Sequence, residues 1–583
     1  MIKTILHQVK EYKADSLKTP FYMLLEVAME MIIPLLMATI VDEGVNKGDM
    51  GVIFKTGLWM LLMAAVGLFA GMRGGATGAR AATGLAKNLR ESMFRRIQTF
   101  SFKNIDRFSS ASLITRLTTD VTNIQNAYQM ALRLGTRAPA SLIVALIFSY
   151  GISPRLANVY LIAVGILAVI LVIGLFSVFK IFSKLFERYD KLNNSVQENI
   201  TGIRVVKAYV REDHEKDKFS TASRNLAKQF IKGEGIVAFT APVMMSTVYV
   251  CILLISWFGA NMIVSSELTT GELMSMLAYC MNILMSLMML SVVFLMIAIS
   301  SAAMKRVSEV LNEEPDIVNP KNPVTEVKDG SIDFNSVDFS YNEDGSGKVL
   351  ENVDLHIKSG ETIGVLGGTG SGKTTLVNLI SRLYDVNAGE VKVGGVNVKE
   401  YDLDVLRKDV SHVLQANVLF SGTIYENLRW GDIDASDEEC QRMAKLACAD
   451  EFIEKMPDGY NTRIEQGGTN VSGGQRQRLC IARALLRKPK ILILDDSTSA
   501  VDTTTDAKIR KSFKEEIPGT TKIIIAQRVT SVQDADKIIV MDDGAICGFG
   551  THDELLENNE IYKDVYESQT GAGSGDFDEK EVS

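Results

Sequence analysis

Long apolar stretches without a charged side chain dominate the first half of the chain. The clearest of them cover residues 156–179, 235–266 and 273–304. A helix needs about 20 apolar residues to cross the hydrocarbon core of a bilayer. Buried helices of soluble proteins are rarely so long. The pattern therefore predicts a membrane-spanning helix in each of these stretches.

Three further apolar stretches are interrupted. Residues 56–71 are rich in Gly and Ala, residues 138–153 lie between two arginines, and residues 17–40 contain Glu26 and Glu30. We count them as spans, because each is apolar over nearly the length that a bilayer requires. The chain is thus expected to cross a membrane six times.

The segments between these spans differ in length and in charge. Residues 81–128 and 181–235 are long and rich in Lys and Arg, whereas the other connections are short and hold few basic residues. The positive-inside rule places the long segments in the cytoplasm, and both termini with them. The first residues are too polar for a cleavable signal peptide. We therefore expect a multi-pass protein of the cell membrane.

The pattern changes after a charged linker with three prolines, assigned to residues 312–330. Short strand-like segments and helical periodicity follow over residues 331–570, as expected for an α/β domain. Residues 571–583 are interpreted as a flexible tail. The predicted fold is an α-helical membrane domain of six transmembrane helices with long cytoplasmic extensions, residues 1–311, fused to an α/β P-loop domain.

Charge and cysteine content exclude some classes of function. The formal net charge of −8 argues against nucleic acid as a partner. The six cysteines are scattered without Cys-x-x-Cys spacing, so neither a metal site nor a disulfide framework is expected.

A Gly-rich segment between a predicted strand and a predicted helix carries the strongest chemical signal. Glycines let backbone N–H groups converge on phosphate oxygens, and the helix that follows directs its positive end at the anion. The lysine of such a loop reaches the terminal phosphates, and its hydroxyl ligates Mg²⁺. The sequence thus predicts a site for ATP and Mg²⁺ at Gly367, Gly368, Thr369, Gly370, Ser371, Gly372, Lys373, Thr374 and Thr375.

Further motifs occur at compatible spacing. Residues 470–478, Asn-Val-Ser-Gly-Gly-Gln-Arg-Gln-Arg, resemble the signature motif of ATP-binding cassette (ABC) exporters. Gln415 resembles the glutamine of their Q-loop, and Tyr341 precedes the Gly-rich segment as their adenine-stacking aromatic does. Over residues 5–570 the chain resembles an ABC exporter half-transporter of the multidrug or lipid type.

The resemblance implies a role for each motif. Tyr341 would stack on adenine, while Thr374, Gln415 and Asp495 would hold Mg²⁺. The D-loop of the family, which crosses the dimer interface, corresponds to a segment containing Ser499 and Asp502. The γ-phosphate of ATP held by the opposite nucleotide domain would be bound by Ser472, Gly473, Gly474 and Gln475.

Two catalytic positions depart from the family pattern. Asp496 stands where these ATPases normally have the glutamate that activates water, and Gln527 stands where they normally have histidine. A general base must lie within hydrogen-bond reach of its water, and a displacement of about 1 Å can cost about a hundredfold in rate. With the signature motif intact, the sequence favours a heterodimer. Its second, non-identical half-transporter would hold the competent site, and this chain would bind ATP but hydrolyse it slowly.

Other interpretations remain open. A slow homodimeric flippase or exporter is one, and an ATP-gated channel or regulatory subunit is another. The substrate is expected to be hydrophobic or amphipathic, but drugs, lipids and peptides all fit. Charged segments near 102–120 and 206–217 resemble the coupling segments that dock on nucleotide domains.

Two carboxylates within the first span require an explanation. Glu26 and Glu30 are one helical turn apart and share a face. They either form ion pairs with Arg73, Arg133 or Arg137, or contact a cationic substrate.

Overall fold

The computed structural model describes residues 1–342, 346–496 and 500–570, with backbone alone at 175–191, 193, 194, 237 and 241. The chain forms two compact units. A membrane unit contains residues 1–98 and 109–313, and a second unit contains residues 99–108 and everything after residue 313.

Helices account for nearly all of residues 1–313. They are α1 (Ile2–His7), α2 (Lys13–Thr39), α3 (Met50–Gln98), α4 (Phe102–Phe108), α5 (Ser110–Thr115), α6 (Val121–Ile152), α7 (Pro154–Thr201), α8 (Ile203–Ala208), α9 (Glu212–Val264) and α10 (Thr270–Asn312). Among the described residues, six helical stretches are long and apolar enough to cross a membrane. The prediction of six spans is therefore confirmed, and α3, α9 and α10 extend well beyond a bilayer's thickness.

Glycines on one face of α3 let α2 approach closely. A Cβ atom built at Gly71 would lie 3.2 Å from the carboxyl carbon of Glu26, and one at Gly74 would lie 3.2 Å from Cβ of Tyr22. Helices in a bilayer associate through such close contacts of small residues, because lipid supplies little hydrophobic force between them. Gly71 thereby makes room for the Glu26 carboxylate inside the bundle.

The start of α10 is fixed against the end of α2. Asp42 accepts hydrogen bonds from the backbone N–H of Gly271, at 2.9 Å, and from the hydroxyl of Thr269, at 2.5 Å. Thr269 and Glu272 also form a reciprocal capping box. A Cβ atom at Gly271 would lie 2.5 Å from the carbonyl oxygen of Ala38. Only glycine fits this backbone contact between the two helices.

The described part of the second unit has three sheets. The strands are β1 (Ile332–Phe339), β2 (Leu350–Ile357), β3 (Thr362–Gly367), β4 (Ala388–Val393), β5 (Val396–Asn397), β6 (Val410–Val413), β7 (Gly422–Thr423), β8 (Arg463–Ile464), β9 (Ile491–Asp495), β10 (Thr521–Ile525), β11 (Lys537–Asp542) and β12 (Ala545–Gly550). The helices are α11 (Lys373–Ile380), α12 (Leu403–Asp409), α13 (Ile424–Leu428), α14 (Asp437–Leu446), α15 (Asp450–Ile453), α16 (Gly473–Leu486), α17 (Thr503–Glu516), α18 (His552–Asn558) and α19 (Glu560–Thr570). This confirms the predicted α/β fold.

The central sheet has the strand order β12-β11-β3-β10-β9-β6. Its strands pair in parallel, except that β12 runs antiparallel to β11. Every residue of β9 and of β10 is buried, as expected for parallel strands covered on both faces. A separate antiparallel sheet has the order β2-β1-β4-β5. The carboxyl ends of β3, β9 and β10 therefore meet at one edge.

The helix α4 belongs to the second unit, although residues 1–98 and 109–313 on either side of it belong to the membrane unit. The Tyr384 hydroxyl donates to the carboxylate of Asp106 at 2.6 Å, and the Tyr384 ring lies edge-on to Phe102 at 6.0 Å. Asn104 donates to the carbonyl of Glu314. The segment expected near 102–120 is thus divided, because residues 109–120 belong to the membrane unit.

We predict that Gly271→Ala lowers the melting temperature of the detergent-purified protein. The added methyl group must displace backbone at Ala38, and such overpacking costs about 1–3 kcal/mol. Gly165→Ala, in helix α7, is the matched control. A Cβ atom added at Gly165 would have no described atom within 4 Å. Equal melting temperatures for the two variants would contradict the close contact of α10 with α2.

Candidate functional site

The parallel sheet gathers the predicted phosphate and catalytic residues at one edge. Strand β10 pairs with β3 on one side and β9 on the other, so that Val365 and Asp495 both lie opposite Ile525. Gly367 ends β3, and Gln527 follows β10 by two residues. Ligands of open α/β sheets bind outside the carboxyl ends of the strands.

The Gly-rich loop after β3 is shaped as a cradle. The Lys373 ammonium donates to the carbonyl oxygens of Gly367, at 2.9 Å, and Gly368, at 2.6 Å. Gly372 has a φ of +94°, and a Cβ atom there would lie 2.9 Å from the carbonyl oxygen of Val349. Lys373 then begins helix α11. Backbone N–H groups and the helix N-terminus therefore face the region that an anion would occupy.

Two hard oxygen ligands lie beside this cradle. The Thr374 hydroxyl donates to the carboxylate of Asp495 at 3.2 Å, and Asp495 is only 1% exposed. Burial raises the pKa of Asp495, although the Thr374 hydrogen bond opposes that change. Burial also lowers the pKa of Lys373, against the pull of the two neighbouring aspartates. A hydroxyl and a carboxylate in this position suit Mg²⁺, which prefers oxygen ligands.

Asp496 and Gln527 are in direct contact. The Gln527 side-chain amide donates to the Asp496 carboxylate at 2.9 Å, and Gln415 is a further hydrogen-bond donor to it. Burial raises the pKa of Asp496, while these donors lower it. Asp496 adopts a φ of +47°, which is uncommon for a residue with a side chain. The carboxylate is thus held by two amides at the edge of the sheet.

Tyr341 lies close to the same loop. Its hydroxyl is 2.9 Å from the hydroxyl of Thr375, on the first turn of α11. Its ring contacts Phe339 and Tyr384 edge-on, with centroids 4.9 and 5.1 Å away. Tyr341 is nevertheless 44% exposed. It therefore offers aromatic surface for stacking next to the phosphate cradle.

The signature residues form a separate helix N-terminus. Ser472 caps α16, accepting from the backbone N–H of Gln475 at 3.2 Å, while the Gln475 side chain accepts from the backbone of Ser472 at 3.0 Å. A Cβ atom at Gly474 would lie 2.7 Å from the carbonyl oxygen of Ala500. Within the described residues, no hydrogen bond joins Ser472 to Lys373 or Thr374. The structure does not bring the signature residues together with the cradle of the same chain.

Two glutamines that sequence reasoning missed connect these parts. The buried Gln477 side chain accepts from the backbone N–H of Ala500 at 3.1 Å and donates to the carbonyl of Asp496 at 3.5 Å. Gln569, on α19, accepts from the N–H of Val529 at 2.8 Å and donates to the carbonyl of Gln527 at 2.9 Å. Gln477 lies inside the quoted signature segment, but no sequence pattern indicates Gln569.

The D-loop residues are only partly described. Asp502 caps α17, accepting from the backbone N–H of Thr505 at 2.9 Å. Ser499 and the tail at 571–583 lie outside the described residues.

The carboxylates of the first span share one cation. Arg137, on α6, donates to Glu26 and to Glu30, each at 2.8 Å. Arg73 instead lies over the Phe69 ring, and Arg133 forms part of the cavity wall beside the two carboxylates. This geometry corresponds to the ion-pair alternative, with Arg137 as the partner.

A Gly-rich phosphate cradle, an adjacent hydroxyl and carboxylate suited to Mg²⁺, and a second helix N-terminus define a P-loop ATPase, here fused to six membrane spans. Comparison with known families gives the same class. The model described as "ABC transporter transmembrane region" matches residues 20–288, and the model described as "ABC transporter" matches residues 350–499.

Several relatives match almost the full length. The uncharacterized ABC transporter ATP-binding protein YfiB of Bacillus subtilis is 38% identical, covering 94% of this chain and 95% of that protein. The uncharacterized ABC transporter ATP-binding protein Rv1273c of Mycobacterium tuberculosis is 34% identical, covering 98% of each. This chain belongs to the ABC transporter family, and its second unit is an ATPase coupled to transport.

A solved structure shares the fold. A bacterial Atm1-family ABC exporter with ATP bound superposes with a TM-score of 0.82 at 23% identity, covering 96% of this chain and 99% of that one. The fold is therefore that of an ABC exporter half-transporter, with a membrane domain and an ATP-binding domain in one chain.

We predict that replacing Asp495 and Asp496 has the same effect without nucleotide but different effects with it. A carboxyl group whose pKa is raised by folding costs stability above that pKa, so at neutral pH both Asp495→Asn and Asp496→Asn should raise the melting temperature without nucleotide. Only Asp495→Asn should lose the further rise caused by Mg²⁺ and ATP, since Asp495 contacts the Thr374 hydroxyl. Thermal unfolding with and without Mg²⁺ and ATP measures both effects. An unchanged nucleotide response in Asp495→Asn would remove Asp495 from the metal site.

Proposed function

We propose that this chain is one half of a heterodimeric, ATP-driven exporter of amphipathic small molecules or lipids from the cytoplasm. Its own ATP site binds nucleotide but hydrolyses it poorly, and its signature residues complete the competent site of a non-identical partner. The observation that carries the proposal is the Asp496–Gln527 pair beside an intact cradle.

The chemistry of that pair supports slow turnover. Asp496 has one methylene fewer than glutamate, so its carboxylate lies further from a water molecule that attacks the γ-phosphate. Gln527 donates its amide hydrogen to Asp496 at 2.9 Å. An amide cannot exchange a proton near neutral pH as an imidazole can. Binding does not depend on these groups, because Tyr341, Lys373 and the loop N–H groups contact other parts of the nucleotide.

The remaining motifs have separate tasks in this proposal. Lys373 and the loop from Gly367 to Thr375 hold the phosphates, and Tyr341 stacks on adenine. Mg²⁺ would be held by Thr374, Gln415 and Asp495, and when bound it would neutralise charge on the phosphates. Ser472 caps α16, and Asp502, at the end of the D-loop, caps α17. ATP binding would then join the two nucleotide domains through the signature residues.

Exposed apolar side chains support a dimeric partner. The short helix α8 and the turn after it carry Val205, Tyr209 and Val210, which are 60%, 74% and 81% exposed. They lie within or next to the second proposed coupling segment, near 206–217. Such apolar residues are expected to be covered in the assembled protein. We propose that they dock on the nucleotide domain of the partner, on the cytoplasmic side together with both termini.

The helix α4 is our proposed first coupling element. Tyr384 contacts Tyr341 edge-on at 5.1 Å and also donates to Asp106 of α4 at 2.6 Å. Burial and the adjacent carboxylate of Asp106 raise the pKa of Tyr384, so the hydroxyl stays protonated and remains a donor. A nucleotide stacked on Tyr341 would thus affect α4 through Tyr384, because the Tyr384 ring contacts Tyr341 and its hydroxyl binds Asp106.

Two substitutions in the complex test the assignment of the competent site. We predict that Ser472→Ala strongly reduces steady-state ATPase activity, because its loop completes the partner's site. Asp496→Glu should raise activity only modestly, since Gln527 remains. The chain expressed alone should show little activity, which the partner restores.

Three other results would contradict this proposal. If Ser472→Ala leaves activity intact while Lys373→Ala abolishes it, the competent site belongs to this chain. Robust turnover by a verified homodimer would favour the homodimeric exporter. An ATP-dependent ion current without substrate movement would favour the channel.

Coupling through Tyr384 can be separated from nucleotide binding. We predict that Tyr384→Phe keeps ATP affinity within about twofold but weakens the stimulation of ATPase activity by transported substrate. The ring contact with Tyr341 remains, whereas the hydrogen bond to Asp106 is lost. Asp106→Asn retains an acceptor and is the milder control. Tightly coupled ATPase activity in Tyr384→Phe would show that this hydrogen bond plays no part.

A further inference from the structure

A cavity of about 410 Å³ lies between α2, α3 and α6 within the membrane unit. Most of its wall is apolar, including Ile33, Met63 and Leu68. Four charged residues complete the wall: Glu26, Glu30, Arg133 and Arg137. Ionisable side chains in a membrane span are costly and usually serve a pathway or a ligand.

The charges in this cavity are arranged as a dipole. Glu26, Glu30 and Arg137 form one hydrogen-bonded group with two carboxylates and one guanidinium, so its formal charge is negative. Each carboxylate uses one oxygen for Arg137, through Oε1 of Glu26 and Oε2 of Glu30. Glu30 keeps 38% of its side chain exposed. The other oxygens can therefore accept hydrogen bonds from a ligand.

Arg133 supplies the positive end. It lies one helical turn from Arg137 on α6, about 6 Å along the axis. Its stem rests on α3, where a Cβ atom at Gly78 would lie 3.3 Å from Cδ of Arg133. Its buried Nε has no hydrogen-bond partner among the described residues, and no ion pair joins it to Glu26 or Glu30 there. A guanidinium in this setting is suited to a phosphate or carboxylate.

We propose that this cavity binds an amphiphile whose headgroup carries a primary ammonium next to a phosphate, as in a phosphoethanolamine lipid. The phosphate contacts Arg133, the ammonium donates to the carboxylates of Glu26 and Glu30, and acyl chains follow the apolar wall. Neither a simple cation nor a simple anion satisfies both ends. The inference rests on the proposed export of amphipathic molecules and specifies its substrate class.

A methylation series of the headgroup tests this chemistry directly. Each N-methyl group removes one hydrogen-bond donor but leaves the positive charge. The purified full-length complex, without nucleotide, is titrated with phosphatidylethanolamine, its mono- and dimethyl forms, phosphatidylcholine and phosphatidylglycerol, and lipid retention is read by native mass spectrometry. We expect affinity to fall along the series, with phosphatidylcholine and phosphatidylglycerol each bound about tenfold more weakly than phosphatidylethanolamine.

Variants assign each end of the headgroup. Arg133→Gln should lower the affinity for phosphatidylethanolamine about tenfold, whereas Arg133→Lys should retain most of that affinity. Glu30→Gln should reduce the difference between phosphatidylethanolamine and phosphatidylcholine. Arg73→Gln is the matched control, since Arg73 lies on α3 but does not line the cavity. A fluorescent phosphatidylethanolamine flipping assay with ATP then distinguishes an exported substrate from a resident lipid.

Several outcomes would overturn the inference. Equal affinity for phosphatidylethanolamine and phosphatidylcholine would exclude recognition of the ammonium. Preference for phosphatidylglycerol would indicate an anion site alone. Equal losses in Arg133→Gln and Arg73→Gln would indicate a general effect of membrane charge. Because the binding assay needs no ATP turnover, failure here leaves the proposed division of the two ATP sites untouched, and the Ser472 and Lys373 variants test that separately.

Discussion

The parallel register of β3, β10 and β9 is the constraint on which the ATP site depends. The phosphate cradle follows β3, the Gln527 segment follows β10, and β9 ends at Asp495 with Asp496 next to it. Because β10 lies between the other two, its pairing sets how far Lys373 lies from Asp495 and Asp496. Full burial of β9 and β10 makes this spacing rigid, since packed interiors deform little. Asp496 and Gln527 thus lie at the ends of neighbouring strands in a chain that shares the ABC exporter fold.

In the membrane unit, close packing of helices determines how the charged side chains pair. Charges inside a bilayer need partners, and close helix packing determines which partners can meet. Gly71 lets the Glu26 carboxylate lie against α3, and Arg137 then reaches both carboxylates from α6. The same packing leaves Arg133 beside them, on a wall that is otherwise largely apolar. Small residues in α3 therefore decide the electrostatics of the cavity as well as the distance between helices.

Local patterns predicted much of this protein. Apolar length predicted six spans, and the Gly-rich loop between strand and helix predicted the ATP-binding domain, because both signals lie within short segments. Which arginine pairs with Glu26 and Glu30 was not predictable, since it depends on the relative rotation of α2 and α6. Gln569 was missed for the same reason: its partners lie 40 and 42 residues away along the chain. Long-range contacts of single polar side chains produce no repeating pattern in the sequence from which they could be predicted.

The contact made by Gln569 changes how the end of the described chain should be handled. Both polar atoms of this one amide hold the backbone around Gln527 and Val529, and helix α19 is itself anchored in the core by the fully buried Tyr562. An affinity tag, fluorophore or crosslink placed near residue 570 acts on the helix that supports the Gln527 segment. We therefore expect a label at this position to change the ATPase rate, and labels that should leave the rate unchanged belong on another surface.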